Sequence, residues 1–309
     1  MNIDIIGKPW EEGFNLEAEK VKQIIECNFG DIKVESIQTL GSGWDNQIWY
    51  INHEMVFRFP KHANAANFIL NEIRILPYLK HLGINRPVPH WIALEPIDYA
   101  FPIYGHQYVP GEGADTFQLD NEARSQLAEP LALFLKHLHH FPLEKAHKIE
   151  IVNDSIGMAN FDNFFEYTLK LLRYIEKHMN IETVAPYVAY LEENHSTAKS
   201  SDLVLGHGDL YARHLLLNDK LHLSGIIDWG HCELMNPAVD LRVVYQFLPK
   251  SSHINFWQIY GAVDSDTQVI AKMLAINNAA AIGWYAHQVD DKALIQECLR
   301  SLENVKLCL

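Results

Sequence analysis

The sequence predicts an α+β chain built in two lobes, and three observations predict it. Five short strand-like runs surround amphipathic helix before residue 110. Helical periodicity dominates after residue 119, and a single stretch, residues 204–230, returns to strand. Antiparallel strands covered by a helix make a small lobe, and helices packed on one another make a larger one.

The elements follow in order. Residues 16–28 place Leu16, Val21, Ile24 and Ile25 on one helical face and end near Gly30. The runs "KVESIQTL", "NQIWYIN" and "EMVFRFP" are rich in β-branched and aromatic residues and are punctuated by turn-like "GSGWD" and "NHE", so they predict a three-stranded meander. From Ala63 to Leu82, Phe68, Ile69, Ile73, Leu76 and Leu79 have helical spacing, with a kink expected at Pro77. Residues 87–110 hold five prolines and two more strand candidates, "HWIALE" and "FPIYGHQYV". The Pro/Gly-rich segment 110–116 suits a hinge, which divides the chain into a first lobe, 1–112, and a second, 113–309. Beyond it, residues 119–140, 160–195, 237–248 and 253–307 read as helix, and Phe161, Phe164, Phe165 and Tyr167 as helix-spaced core.

Composition narrows the function. Apolar residues make up 48 % of the 309 and charged ones 21 %, an ordinary globular balance. A net charge of −14 without any Lys/Arg-rich run argues against a nucleic-acid partner and favours attraction of a cationic small molecule. Cys27, Cys232, Cys298 and Cys308 form no C-x-x-C pair, which suits reduced thiols in the cytoplasm. The start, "MNIDIIGKPW", carries Asp4 where a secretory signal wants basic residues, and no apolar run approaches about 18 residues, so no membrane partner is expected.

The stretch "VLGHGDLYARHLLLNDKLHLSGIIDWG" concentrates chemistry. Asp209 follows a short apolar run, His214 comes five residues later, and Asp228 closes the strand "LSGII". In a protein-kinase catalytic loop an Asp takes the acceptor proton and an Asn at the same interval holds magnesium. Here His stands at the Asn position, and Asp228 stands where the second metal-binding residue belongs. A turn at Asn218 to Lys220 would fold His214 and Asp228 side by side with Asp209 facing both. Such a site clamps a triphosphate and its Mg²⁺ from one side and receives a hydroxyl from the other.

"HGDLYARHLLL", "GIIDWG" and "NPAVDL" together resemble the antibiotic-kinase superfamily, the aminoglycoside and macrolide phosphotransferases. The resemblance extends over most of the chain, is strongest in residues 204–248, and implies a bilobal protein-kinase-like fold with ATP or GTP as donor. It implies that Arg58 holds the place of the kinase strand lysine, with Glu72 as its helix partner and Lys61 in reserve. His207 is then a brace for the catalytic loop and Asp240 its support, with Asn236 replacing the commoner Asp before the proline. Period-two alternation puts Val56 and Arg58 on one strand face and Met55, Phe57 and Phe59 on the other, so Val56 can cover the base. Gly41, Ser42 and Gly43, between the first two strands, stand where kinases carry a phosphate-covering loop. Gln107, Tyr108 and Val109 are placed to offer backbone groups to a base.

The expected function is Mg²⁺-dependent phosphoryl transfer to a small-molecule hydroxyl, with Asp209 as base and His214 and Asp228 as metal ligands. "GWDN" and His214 resemble the macrolide branch, so a macrolide 2′-hydroxyl leads, an aminoglycoside hydroxyl follows, and a sugar or amino-alcohol remains open. Asp115 and Glu233 are candidates to pair with an acceptor amine. A silent nucleotide-binding protein is the rival from another class. His137 and His140 share a helix face but lack the third ligand that zinc requires.

Overall fold

The computed structural model describes residues 15–154, 157, 160–197 and 203–309, so the segment around Asp4 lies outside the described residues. The first part of the chain comprises α1 (Ala18–Asn28), β1 (Ile37–Ser42), β2 (Asn46–Ile51), β3 (Met55–Pro60), α2 (Ala63–Ile75), β4 (Trp91–Ala93) and β5 (Ile103–Gln107). The strands form one antiparallel sheet in the order β1-β2-β3-β5-β4. Alternation sorts β3 as its sequence requires: Met55, Phe57 and Phe59 join Val21, Ile24 and Ile25 of α1 in one core. Burying Phe57 and Phe59 completely contributes about 2 to 3 kcal/mol each. Arg58, in register with Tyr104 of β5, faces the other way, towards Glu72 of α2.

Pro77 ends α2 rather than kinking it. The helix stops at Ile75, and Leu76–Tyr78 and Lys80–Leu82 continue as single 3₁₀ turns up to Gly83, whose φ of +65° closes the segment. The ring clashes with the carbonyl four residues back, so the regular ladder cannot pass through it.

The second part runs β6 (Glu112–Gly113), α3 (Asn121–Gln126), α4 (Ala128–His139), α5 (Leu143–Lys148), α6 (Phe165–His178) and α7 (Ala185–Asn194). It continues through β7 (Val204–Gly206), β8 (Leu215–Leu217), β9 (Leu223–Ile226), β10 (Glu233–Met235), α8 (Ala238–Phe247), α9 (His253–Tyr260), α10 (Ser265–Gln288) and α11 (Lys292–Lys306). A large helical core includes Phe161, with Phe165 and Tyr167 packed against it. Strand is not confined to residues 204–230, since β10 pairs with β7 and β6 pairs with β8. These strands are two or three residues long, too short for an alternation to show in sequence. No helix among the described residues is long and apolar enough to cross a membrane.

Candidate active site

The β8–β9 hairpin does the assembling. Its register pairs Leu215 with Ile226, and the Ile227 N–H donates to the His214 carbonyl (3.2 Å), so His214 and Asp228 emerge side by side. His214 Nε2 lies 3.4 Å from Asp228 Oδ2, and its Nδ1 lies 3.7 Å from Asp209 Oδ2. The three residues therefore converge on one centre. Asn218 makes the turn by accepting from the N–H groups of Lys220 and His222 (3.0 and 3.1 Å).

Asp228 has φ of +65°, a left-handed conformation uncommon outside glycine. It aims one carboxylate oxygen at Arg58 Nη2 (3.1 Å) and the other at His214. The surrounding protein would raise its pKa, but Arg58, then His214 and His231, outweigh that and hold it well below the usual carboxylate range. Arg58 also donates to Glu72 Oε1 (2.6 Å), and Glu72 accepts from the Tyr104 hydroxyl (2.9 Å) and the Trp229 N–H (2.9 Å). Burial pushes the Glu72 pKa up while Arg58 pulls it down. Asn71, the residue before Glu72, donates to the carbonyls of Gly230 (3.1 Å) and Cys232 (2.7 Å), locking α2 onto the segment after Asp228.

The loop that carries Asp209, residues 207–214, hangs on Asp240. This buried carboxylate accepts from the N–H of His207 (2.7 Å) and of Gly208 (2.9 Å), and from His139 Nε2 (3.1 Å). Burial works against its charge, but the His139 bond and the neighbouring histidines keep its pKa low. His207 accepts from the Asp209 N–H (3.3 Å) and reaches the Ile227 carbonyl through Nε2 (3.0 Å), bracing loop against hairpin. Burial drives its pKa down to about 4, so it stays neutral. Asn236 retains the cap expected of an Asp, because its Oδ1 accepts from the Ala238 N–H (2.9 Å).

Arg242, on α8, donates to the Gly208 carbonyl (3.0 Å) and lies 3.5 Å from Asp209 Oδ1. Neither Arg242 nor Tyr104 was visible from sequence, because strand register and helix docking bring them in. His139 was legible only as part of "KHLHH": the zinc candidates His137 and His140 are exposed, whereas His139 between them turns inward to Asp240.

Around this centre, Gly41 (φ +151°) and Ser42 end β1, and the β1–β2 loop proper runs over residues 43–45. Lys61 donates to the Gly43 carbonyl (3.4 Å), so it ties down this loop. At the far end of the sheet Val56 is buried opposite His106. The Tyr108 N–H is taken up by the Glu54 carbonyl (2.7 Å), and the Gln107 carbonyl lies 2.7 Å from His106 Nδ1. By strand alternation the backbone of Gln107 and Val109 faces away from β3.

Two expected acceptor contacts are corrected. Asp115 is buried and its Oδ2 is held by Arg213 (2.7 Å), which satisfies its charge inside the chain. Glu233 is buried in β10, paired in register with Gly206. Neither carboxylate lies open to an amine.

A two-lobed sheet-and-helix fold with a loop Asp facing a hairpin His/Asp pair and a strand–helix Arg/Glu pair defines a kinase-like phosphotransferase with a hydroxyl acceptor. Residues 36–273 match the model of the phosphotransferase enzyme family (APH), and the chain belongs to that family. It is similar to the solved structure of APH(2")-IIIa in its GDP and kanamycin complex, with 25 % identity and a TM-score of 0.66 over 93 % of this chain and 98 % of that one. It shares its fold with the macrolide 2′-phosphotransferase MphH of Brachybacterium faecium, with 18 % identity and a TM-score of 0.60 over 91 % of this chain and 97 % of that one. A curated relative, the uncharacterized protein YcbJ of Bacillus subtilis (strain 168), is 22 % identical over 225 residues, 69 % of this chain and 70 % of that protein.

Proposed function

We propose that the chain transfers the γ-phosphoryl group of ATP or GTP to a hydroxyl of a small molecule in the cytoplasm, a macrolide 2′-hydroxyl ahead of an aminoglycoside one. Residues 1–112 hold the nucleotide and residues 113–309 present the acceptor. The observation that carries the reading is the convergence of Asp209, His214 and Asp228 from loop and hairpin onto one centre beside the Arg58–Glu72 pair. Structures similar to this chain support the acceptor class through the GDP and kanamycin bound to APH(2")-IIIa.

Asp209 orients the acceptor hydroxyl and takes its proton, and Arg242 fixes the carboxylate while it waits. Arg58 turns its guanidinium to the nucleotide phosphates while Glu72 holds the Nη1 arm of the fork. Val56 covers the base, the backbone of Gln107 and Val109 reads its edge while that of Tyr108, expected to share in this, is instead spent on Glu54, and Gly41 to Gly43 cover the phosphates. His207 and Asp240 keep Asp209 in place.

The donor set fits Mg²⁺. His214 Nδ1 is 2.6 Å from the Asp209 carbonyl, which places the proton there and leaves the Nε2 lone pair facing the Asp228 carboxylate. Asp228 and His214 would hold the ion, which when bound neutralises phosphate charge. Magnesium sites need only one or two protein carboxylates when phosphates complete the shell.

The rival reading, a silent nucleotide binder, draws on one observation: Arg58 bridges to Asp228 and so occupies the carboxylate that would meet the metal. One experiment separates the two. The protein is incubated with ATP or GTP, Mg²⁺ and a panel of macrolides, aminoglycosides, sugars and amino-alcohols, and mass spectrometry looks for a phosphate adduct. An adduct that needs both nucleotide and Mg²⁺ supports transfer; nucleotide binding with no adduct across the panel supports the silent reading.

A further inference from the structure

Arg213 is the residue before His214, and it joins two carboxylates that the transfer chemistry does not use. Its Nε and Nη2 donate to Asp115 Oδ2 (2.8 and 2.7 Å), and Nη2 also reaches Asp291 Oδ2 (2.6 Å). Asp291 is the N-cap of α11, so this knot links the catalytic loop to the segment after β6 and to the carboxy-terminal helices. Arg213 and Asp291 are 32 % and 28 % exposed, so the knot presents a face to the outside.

That face continues around the site. Tyr211, two residues after Asp209, packs its ring 4.4 Å from His214 and shares an apolar cluster with Tyr285 of α10. The ring of Tyr285 lies 5.3 Å from that of Trp44, in the β1–β2 loop. Catalytic loop, Tyr211, Tyr285 and Trp44 thus form a wall from Asp209 to the phosphate-covering loop, with Arg213 and Asp291 set in it.

We infer that Arg213 sets the acceptor class: because its guanidinium engages both buried Asp115 and partly exposed Asp291, neither carboxylate of the knot stands open, and this part of the wall suits a hydroxyl compound with at most one amine, not a polycation. This rests on the kinase reading. A compound with several ammonium groups needs several open carboxylates at short range. The overall charge of −14 steers such a compound towards the surface but cannot pair its amines beyond the screening distance. The aromatic rings of Trp44, Tyr211 and Tyr285 offer apolar contact to a ring with few charges.

The test is the ratio of kcat/KM for kanamycin to that for erythromycin, which carries one amine, measured within each protein so that partial loss of folded material cancels. Wild type should favour erythromycin. Arg213→Gln frees Asp291, the partly exposed carboxylate of the knot, and should raise the ratio about tenfold or more, roughly what one well-placed ion pair contributes. Arg213→Lys keeps the charge and should leave it close to wild type. Asp291→Asn, away from the catalytic loop, leaves the wall less negative and should lower it, which keeps the inference testable if Arg213→Gln does not fold. Transfer that prefers kanamycin in wild type, or a ratio indifferent to these changes, overturns the assignment of Arg213 and leaves the kinase reading standing. No phosphate adduct with any acceptor overturns both.

Discussion

Asp209 illustrates how much a single carboxylate depends on its setting. Its backbone is fixed by His207, one oxygen faces Arg242 at 3.5 Å and the other faces His214, which leaves little freedom to its side chain. Asp209→Asn keeps this shape and removes the carboxylate proposed to accept the proton, so kcat should fall by about 10²- to 10⁴-fold while nucleotide affinity, read by calorimetry, stays near wild type. Undiminished transfer by that variant would show that another group takes the proton. Arg58 is expected to behave differently. Arg58→Met leaves Glu72 buried without its cation, and stability to urea should drop by about 3 to 5 kcal/mol, whereas Arg58→Lys should recover part of it. At this scale Asp209, His214 and Asp228 stood out in the sequence because each sits at a fixed distance from a short apolar strand, whereas Arg58 and Glu72 were named through the family resemblance. Tyr104, Arg242 and His139 carried no such mark, since each reaches the centre from an element that only tertiary packing brings near.

Among the elements, the 207–214 loop that carries Asp209 is tightly constrained. Gly208 has φ of +84°, and a Cβ there would stand 2.3 Å from the His231 carbonyl. The backbone cannot give way easily, because the Gly208 N–H is bonded to Asp240 and its carbonyl to Arg242. Gly208→Ala should therefore cost about 2 kcal/mol or more in thermal or chemical unfolding and lower transfer well over tenfold. Gly30→Ala is the matched control: nothing lies within 4 Å of its added Cβ, so both readouts should stay near wild type. If the two variants behaved alike, the tight packing of this loop would not matter to function. The β3 strand and the 204–230 hairpin were legible because apolar alternation and turn residues coincide there. The two-residue β6 and three-residue β10 were not, because such short strands are defined by their partners. Apolar spacing that runs on past Pro77 predicts a kink there, although the ring itself stops the helix.

Across the whole molecule, the sheet region and the helical region are joined by polar groups that must stay in one protonation state. Arg58 reaches across to Asp228, and Asn71 and Glu72 of α2 bind the backbone from Trp229 to Cys232. The two-part architecture was readable from the change in periodicity near residue 110, but this polar seam was not, because its partners lie more than 150 residues apart. Two buried histidines flank it, His106 at the end of β5 and His207 in the catalytic loop, and burial pushes each down to about 4. An unfolded histidine titrates near 6.5, so between about pH 6.5 and 4 the unfolded chain binds protons that the folded chain refuses. Stability from these groups is therefore complete above pH 6.5 and declines as pH falls towards 4, by on the order of 3 kcal/mol for each residue. Asp240, whose pKa is lowered in the fold, extends the same trend below the usual carboxylate range. The melting temperature should consequently fall steadily from pH 7 to pH 4.5. His106→Leu removes one of the two titrations without touching the Asp240 network, so its melting curve should lose less over that interval than wild type. A wild-type midpoint flat from pH 7 to pH 4.5, or a His106→Leu slope equal to wild type, would mean that these histidines accept protons in the folded protein and that the seam tolerates their charge.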